Sequence, residues 1–157
     1  MALKLTSPAF EQGETIPKEH TCDGNNLSPP FLWEGAPEGT ASFLLVCDDP
    51  DAPGGVFHHW AAYNIPSTWH SLPGSFGPET LEPGFMQAMN DFGKPGYAGP
   101  CPPSGDRPHA YHFRLSTLST LLISPGPGAS CVEIIRLAEP YRLEFVELIG
   151  FYGRQAK

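Results

Sequence analysis

Positive charge is scarce in this chain. Lys and Arg number nine against 17 Asp and Glu, and the formal net charge is −8 over 157 residues. There is no basic tract, so broad attraction to nucleic acid or anionic lipid is not expected. No apolar run approaches the roughly 20 residues that span a bilayer, so integral membrane association is not expected either. The opening Met1-Ala2-Leu3-Lys4-Leu5-Thr6-Ser7-Pro8 lacks an apolar stretch long enough for a secretory signal, and a cytoplasmic setting is the expectation. Cysteine is sparse as well. Cys22, Cys47, Cys101 and Cys131 are widely spaced with no C-x-x-C pair, a poor match to structural zinc or a redox dithiol. Free thiols are therefore expected, with Cys47 a small core residue. Compact catalytic signatures are missing too: neither H-E-x-x-H nor G-x-S-x-G occurs. No cofactor and no metal is expected.

Turn formers and aromatic residues, by contrast, are plentiful. The chain has 19 Pro and 17 Gly, roughly twice the usual share. Ten Phe, five Tyr and three Trp argue against disorder, because their burial offsets ordering entropy. The length fits one domain, residues 1–157, large enough to bury a core of its own. Strand-like segments fall at 2–6, 30–33, 42–47, 59–65, 111–118 and 141–152, separated by Pro/Gly-rich loops. That pattern predicts a mostly β protein of antiparallel strands, in a sandwich or barrel. One helix is predicted over 131–139. Ser130 and Glu133 have capping-box spacing, Pro140 is the stop, and Val132, Ile135 and Ala138 are the expected buried stripe. The segment 72–103 has no clear period, and a loop that long in a compact domain reads as functional.

Three clusters carry the chemistry. Asp49-Pro50-Asp51-Ala52-Pro53 follows the apolar run Phe43-Leu44-Leu45-Val46-Cys47, so two acids and two prolines sit where a strand leaves the core. Proline ends the ladder and stiffens the loop, which suits a carboxylate that must stay in place. His58-His59-Trp60 opens a second strand. Strict alternation puts His59 on the face of Ala61 and Tyr63, and His58 on that of Trp60 and Ala62. At most one of the pair then enters a given pocket. The third cluster runs from Gly99 through Pro100, Cys101, Pro102 and Pro103 to Asp106, Arg107, Pro108, His109 and Tyr111. The prolines make a rigid wall, and His109 and Tyr111, two apart on a strand, share a face.

These three clusters, in this order and at these spacings, resemble the phosphatidylethanolamine-binding protein family, which includes the Raf kinase inhibitor proteins. The compact length and the ending after one short helix look most like its bacterial and archaeal branch. The resemblance covers essentially the whole chain. It implies an antiparallel β-sandwich with a small surface pocket for anions such as phosphate, phosphorylated headgroups or acetate-like ions. By motif matching it places Asp49 beside the pocket and Asp51 in its loop. It makes His59 the pocket histidine, Pro102 and Pro103 the wall, and His109 and Tyr111 the polar lining. Ala52, Pro53, Gly99 and Cys101 match further lining positions. Where the family usually has Arg between the second histidine and the tyrosine, this chain has Ala110.

An anion needs fixed donors and some positive charge. His59 and His109 can supply both near an unperturbed pKa of about 6.5. Tyr111 adds a hydroxyl, and backbone amides near Gly99 and Cys101 are further candidate donors. The expectation is a small anion- or phosphate-headgroup-binding protein, acting as an interaction module or as an inhibitor of a kinase or protease. The competing expectation is a metal-assisted or acid–base hydrolase built on Asp49, His59 and His109. A third use of the chain is protein docking through 72–97, where Trp69, Phe76, Phe85, Met86 and Met89 lie in or near the segment. The same residues serve equally to close the core or to form a homodimer contact.

Overall fold

The apolar run from Phe43 to Cys47 has no polar residue on either face, a pattern that fits burial on both sides. In the computed structural model, which describes residues 2–75, 84–122, 125–126 and 128–154, that run lies at the centre of a five-stranded sheet. The strands in chain order are β1 (Lys4–Thr6), β2 (Phe31–Glu34), β3 (Ser42–Asp49), β4 (Phe57–Pro66), β5 (Ser71–Leu72), β6 (Met86–Gln87), β7 (His109–Leu118) and β8 (Arg142–Tyr152). One helix, α1 (Cys131–Ala138), lies between β7 and β8. The larger sheet has the order β6-β4-β3-β7-β8 and the smaller one β1-β2-β5. Every strand pair is antiparallel. The expected mostly β, antiparallel sandwich is the observed one.

Alternation along β3 sorts its side chains between two cores. Phe43, Leu45 and Cys47 join Phe31, Trp33, Trp60, Phe113 and Leu115 between the two sheets. Leu44 and Val46 face the other way and pack with Ala61, Tyr63 and α1 through Cys131, Ile134 and Ala138. The inner layer is rich in rings: Phe113 lies 5.1 Å from Phe31 and 5.6 Å from Phe10. Each such fully buried apolar side chain contributes about 1.5–3 kcal/mol relative to exposure.

Three strands run two residues further than their apolar content alone predicts, all at one end of the sheet. β3 continues through Asp48 and Asp49, paired with His58 and Phe57. β7 begins at His109, paired with Tyr152. Ladder pairing there overrides the turn preference of Asp, and Pro50 then ends it. These extensions carry the polar residues of the site. β5 and β6 have two residues each, too few to show a period in sequence.

The helix starts as expected. The Ser130 hydroxyl accepts from the Glu133 amide at 3.2 Å, and the Glu133 carboxylate accepts from the Ser130 amide. Its buried stripe differs from the expected Val132, Ile135 and Ala138. Cys131, Ile134 and Ala138 are the buried residues, Ile135 is partly covered and Val132 is 39% exposed. The stripe begins one residue earlier because Cys131 is small enough to sit against β4. After Ala138 the chain tightens into a 3-10 turn, Glu139–Tyr141, that contains Pro140.

Segment 72–97 splits between core and surface. Trp69 and Phe85 meet edge to face at 6.2 Å and close the inter-sheet core. Met86 is 53% exposed and Met89 half-buried. Phe76 lies outside the described residues. Replacement of Ser130 by Ala removes one half of the capping box. It is expected to cost about 1 kcal/mol and lower Tm by roughly 2–4 °C, read by thermal denaturation; an unchanged Tm would show that the cap contributes nothing to the fold.

Candidate functional site

A break in strand pairing builds the site. Cys47 pairs with Trp60, but the next pair is Asp48 with His58, so His59 is left without a partner on β3. This is a β-bulge, and a bulge re-aims the side chains beside it. Strict alternation predicted His59 on the face of Ala61 and Tyr63; the structure corrects this. Those two pack under α1, whereas the His59 ring turns to the opposite side, 5.4 Å from the ring of Tyr111. His58 stays out, where both its amide and its Nδ1 meet the Asp91 carboxylate, at 2.7 and 3.1 Å. One histidine of the pair thus enters the pocket.

Asp49 is the centre of the polar network. It is only 3% exposed, yet its carboxylate is well supplied with donors. Oδ1 accepts from the Asp51 amide at 2.8 Å, and Oδ2 meets His109 Nδ1 at 2.7 Å. The Tyr111 phenol lies near enough to feel its charge. Asp51 in turn accepts from the Ala110 amide at 2.9 Å. The loop after β3 is therefore stitched to the first turn-facing residues of β7. The other ring nitrogen of His109, Nε2, meets Asp106 Oδ2 at 3.1 Å. Its ring lies nearly parallel to that of Tyr111, 27° between planes.

The two pocket histidines are tuned in opposite directions. Burial pulls both toward the neutral form. For His59 burial wins, and its pKa falls below the usual value despite the Ala98 carbonyl and Asp49. Its Nδ1 lies 2.6 Å from that carbonyl. A carbonyl only accepts, so Nδ1 carries the proton and the neutral ring has its lone pair on Nε2. For His109 the hydrogen bonds to Asp49 and Asp106 outweigh burial, and its pKa is raised. Burial and the neighbouring Asp49 push the Tyr111 phenol far up, so it stays protonated.

These groups surround a cavity of about 200 Å³. Of the residues expected at the site, Asp49, Ala52, Pro53, His59, Cys101, Pro102, Pro103, His109 and Tyr111 line it. Asp51 and Gly99 do not. Asp51 supports the loop from behind, as described. The Gly99 amide, expected as a donor to ligand, instead donates to Asn26 Oδ1 at 2.7 Å. A side chain at Gly99 would collide with the His20 carbonyl, so glycine serves close packing behind the wall. Phe57 and Phe92 line the cavity without having been expected there. They meet at 4.6 Å, and both approach the His59 ring, at 4.9 and 5.6 Å. Phe57 adjoins the histidine pair in sequence, but nothing there marks a face until the bulge is seen. Among the described residues no group of three or more His, Cys, Asp or Glu is placed to hold a metal ion.

The cysteines require a correction. Cys22 and Cys101 form a disulfide across 79 residues, with Cα atoms 5.4 Å apart; only Cys47 and Cys131, both buried, are free. Wide spacing in sequence says nothing about distance in a sandwich whose loops cross. Here a 3-10 turn, Lys18–His20, leads into a segment that lies against residues 97–101. The Tyr97 hydroxyl donates to the His20 carbonyl at 2.7 Å and the Cys22 amide to the Pro100 carbonyl at 3.1 Å. The disulfide fastens this pocket wall from behind.

Two sheets, a bulge that turns one histidine inward, and an acid–histidine pair under a proline wall define a β-sandwich protein with a small pocket that sets a few polar groups among aromatic and proline walls. The model of the phosphatidylethanolamine-binding protein family matches residues 6–153, and the chain belongs to that family, in its bacterial and archaeal type. It is 43% identical over 152 residues to a UPF0098 protein of Aquifex aeolicus, covering 97% of this chain and 89% of that one. It is 43% identical over 159 residues to a UPF0098 protein of Methanothermobacter thermautotrophicus, covering 97% and 99%. The crystal structure of Escherichia coli YbcL, described as a new member of the mammalian PEBP family, superposes with a TM-score of 0.91 at 35% identity, covering 99% of this chain and 100% of that one.

Histidine-resolved NMR titration is expected to separate the two pocket rings. His59 should change charge below about 6.5, the ordinary histidine value, and His109 above it; the reverse order would contradict the hydrogen-bond assignment. Replacing both Cys22 and Cys101 by Ser is expected to cost about 2–4 kcal/mol, measured by denaturant unfolding. An unchanged midpoint would mean that the wall is held without the disulfide.

Proposed function

We propose that this pocket binds a small anion, a phosphate or phosphorylated headgroup, and takes up a proton at His59 as it does so. The observation that carries the reading is the hydrogen bond from His59 Nδ1 to the Ala98 carbonyl. It leaves Nε2 as the free polar atom of that ring, beside the cavity. In the neutral ring Nε2 can only accept. An anion offers acceptors, so it binds well only when Nε2 is protonated and becomes a donor. His109, raised in pKa by its two carboxylate contacts, keeps its second proton to higher pH than an ordinary histidine. Aromatic and proline walls lower the local dielectric and strengthen such contacts.

The alternative, a metal-assisted or acid–base hydrolase, would use Asp49, His59 and His109, which share the cavity. Among the described residues no group of three or more His, Cys, Asp or Glu is placed to hold a metal ion, and both ring nitrogens of His109 are held by carboxylates. An inhibitory or docking role toward a kinase or protease rests on the family resemblance. Phe92, 48% exposed, offers such a partner an apolar contact at the pocket rim; self-association of the chain is a proposal of the same standing. No helix among the described residues is long and apolar enough to cross a membrane. A cytoplasmic setting is likewise a proposal, and it carries a condition. Disulfides such as Cys22–Cys101 persist in oxidising compartments and are rare in reducing ones outside hyperthermophiles.

Calorimetric titration with sulfate, whose charge is fixed across the range, and with phosphate tests the reading between pH 5.5 and 8. The sign follows from linkage. The free protein holds His59 neutral through a lowered pKa, and the bound state favours its charged form. Affinity therefore rises as pH falls, by up to about tenfold per unit for one proton taken up. The variant His59→Ala should lose the slope. A flat sulfate affinity with His59 intact would sink the proposal.

A further inference from the structure

We propose that Asp106 is a built-in competitor at the pocket: a tethered carboxylate that occupies the outward nitrogen of His109 and that an incoming anion must displace. This rests on the anion-binding reading above. Both ring nitrogens of His109 are committed, Nδ1 to Asp49 at 2.7 Å and Nε2 to Asp106 at 3.1 Å. An anion therefore finds no free His109 donor while Asp106 stays in place.

The two carboxylates on His109 are held very differently. Asp49 is buried, and its other oxygen is fixed by the Asp51 amide. Asp106 has a side chain 44% exposed, and the one hydrogen-bond partner of its carboxylate among the described residues is His109. It can leave at little cost. It also has somewhere to go. Asp106 lines not the pocket but an adjoining groove of about 630 Å³, together with Thr15, Tyr152 and Arg154. Arg154 gives that groove a guanidinium, which pairs with Asp23 at 3.1 Å.

A carboxylate three residues from its partner competes at a high effective concentration, in the millimolar range or above for short flexible tethers. A free monocarboxylate makes the same contact with no advantage, so acetate is disfavoured. A phosphoryl group or sulfate carries more charge and more acceptor oxygens, and it wins where acetate does not. The residue thus sets an affinity threshold: it weakens every anion by the same factor, and only those that bind well enough still occupy the site.

The test is a set of NMR titrations with sodium sulfate, phosphate and acetate. The proteins are wild type, Asp106→Asn, Asp106→Ala, His59→Ala and, as a control for net charge, Glu38→Gln at an exposed site. Both Asp106 variants should bind all three anions about threefold or more tighter, by a similar factor for each, because the competent fraction of His109 rises. Glu38→Gln should match wild type. If wild type binds sulfate in a His59-dependent way but neither Asp106 variant tightens it, the displacement proposal fails and the anion pocket stands. If Glu38→Gln tightens binding as much as the Asp106 variants, the effect is net charge and the proposal also fails. If no protein in the set binds any of the anions, both readings fall together.

Discussion

The site depends on one buried contact, the 2.7 Å hydrogen bond between Asp49 and His109. β3 and β7 are neighbours in the sheet, and their paired residues end with Asp48 and His112. Past that point the strands are held together by side chains. A carboxylate taken out of water is costly unless it is fully compensated. Asp49 meets that condition with the imidazole of His109 and the amide of Asp51. Each of those partners also shapes the cavity or its loop. Compensating the acid and forming the pocket are thus one requirement. A substitution at Asp49 would remove both together.

The two histidines show how one small site can hold opposite protonation states. His109 faces carboxylates on both sides, and His59 faces a backbone carbonyl on one. The consequences for stability have opposite signs. The raised pKa of His109 contributes stability that is fully present below its unfolded value, near 6.5, and lost as pH rises through the folded value. The lowered pKa of His59 contributes stability present above that unfolded value and lost as pH falls through the folded one. These contributions oppose each other, so neither end of the range favours the fold through both rings. Pairs of titratable groups pushed apart in this way mark sites where charge is managed.

Much of this was legible in the sequence, and what was not has identifiable causes. The apolar run 43–47, the turn-rich loops and the Ser130–Glu133 spacing each report local physics, and β3, the sandwich and the helix start follow from them. Motif matching brought most of the lining into view: Asp49, His59, His109 and Tyr111 lie near strand ends, and Ala52, Pro53, Cys101, Pro102 and Pro103 lie in the proline-stiffened loops beside them. The orientation of His59 was hidden, because a bulge arises between two strands and alternation within one cannot show it. The Cys22–Cys101 bridge and the role of Gly99 were hidden for a related reason. Both depend on the segment after Lys18–His20 lying against residues 97–101, a contact between distant parts of the chain. Asp106 reads in sequence as one polar loop residue among several, and only the distance to His109 sets it apart.

The pocket combines a rigid back with a yielding rim, and that difference matters for recognition. Its rear wall is fastened by the Tyr97 hydroxyl, by Gly99 packed on the His20 carbonyl and by the disulfide. Prolines 102 and 103 add backbone that has little freedom to lose. Groups fixed in advance bind a ligand without a further ordering cost. At the rim, Asp106 is held by a single contact and faces open groove. A site rigid throughout would admit any anion small enough to enter. A site loose throughout would lose the alignment of His59 and His109 on which charge recognition depends. With the two properties divided between wall and rim, shape is set by the fold, and the proposed competition for His109 falls to one exposed side chain.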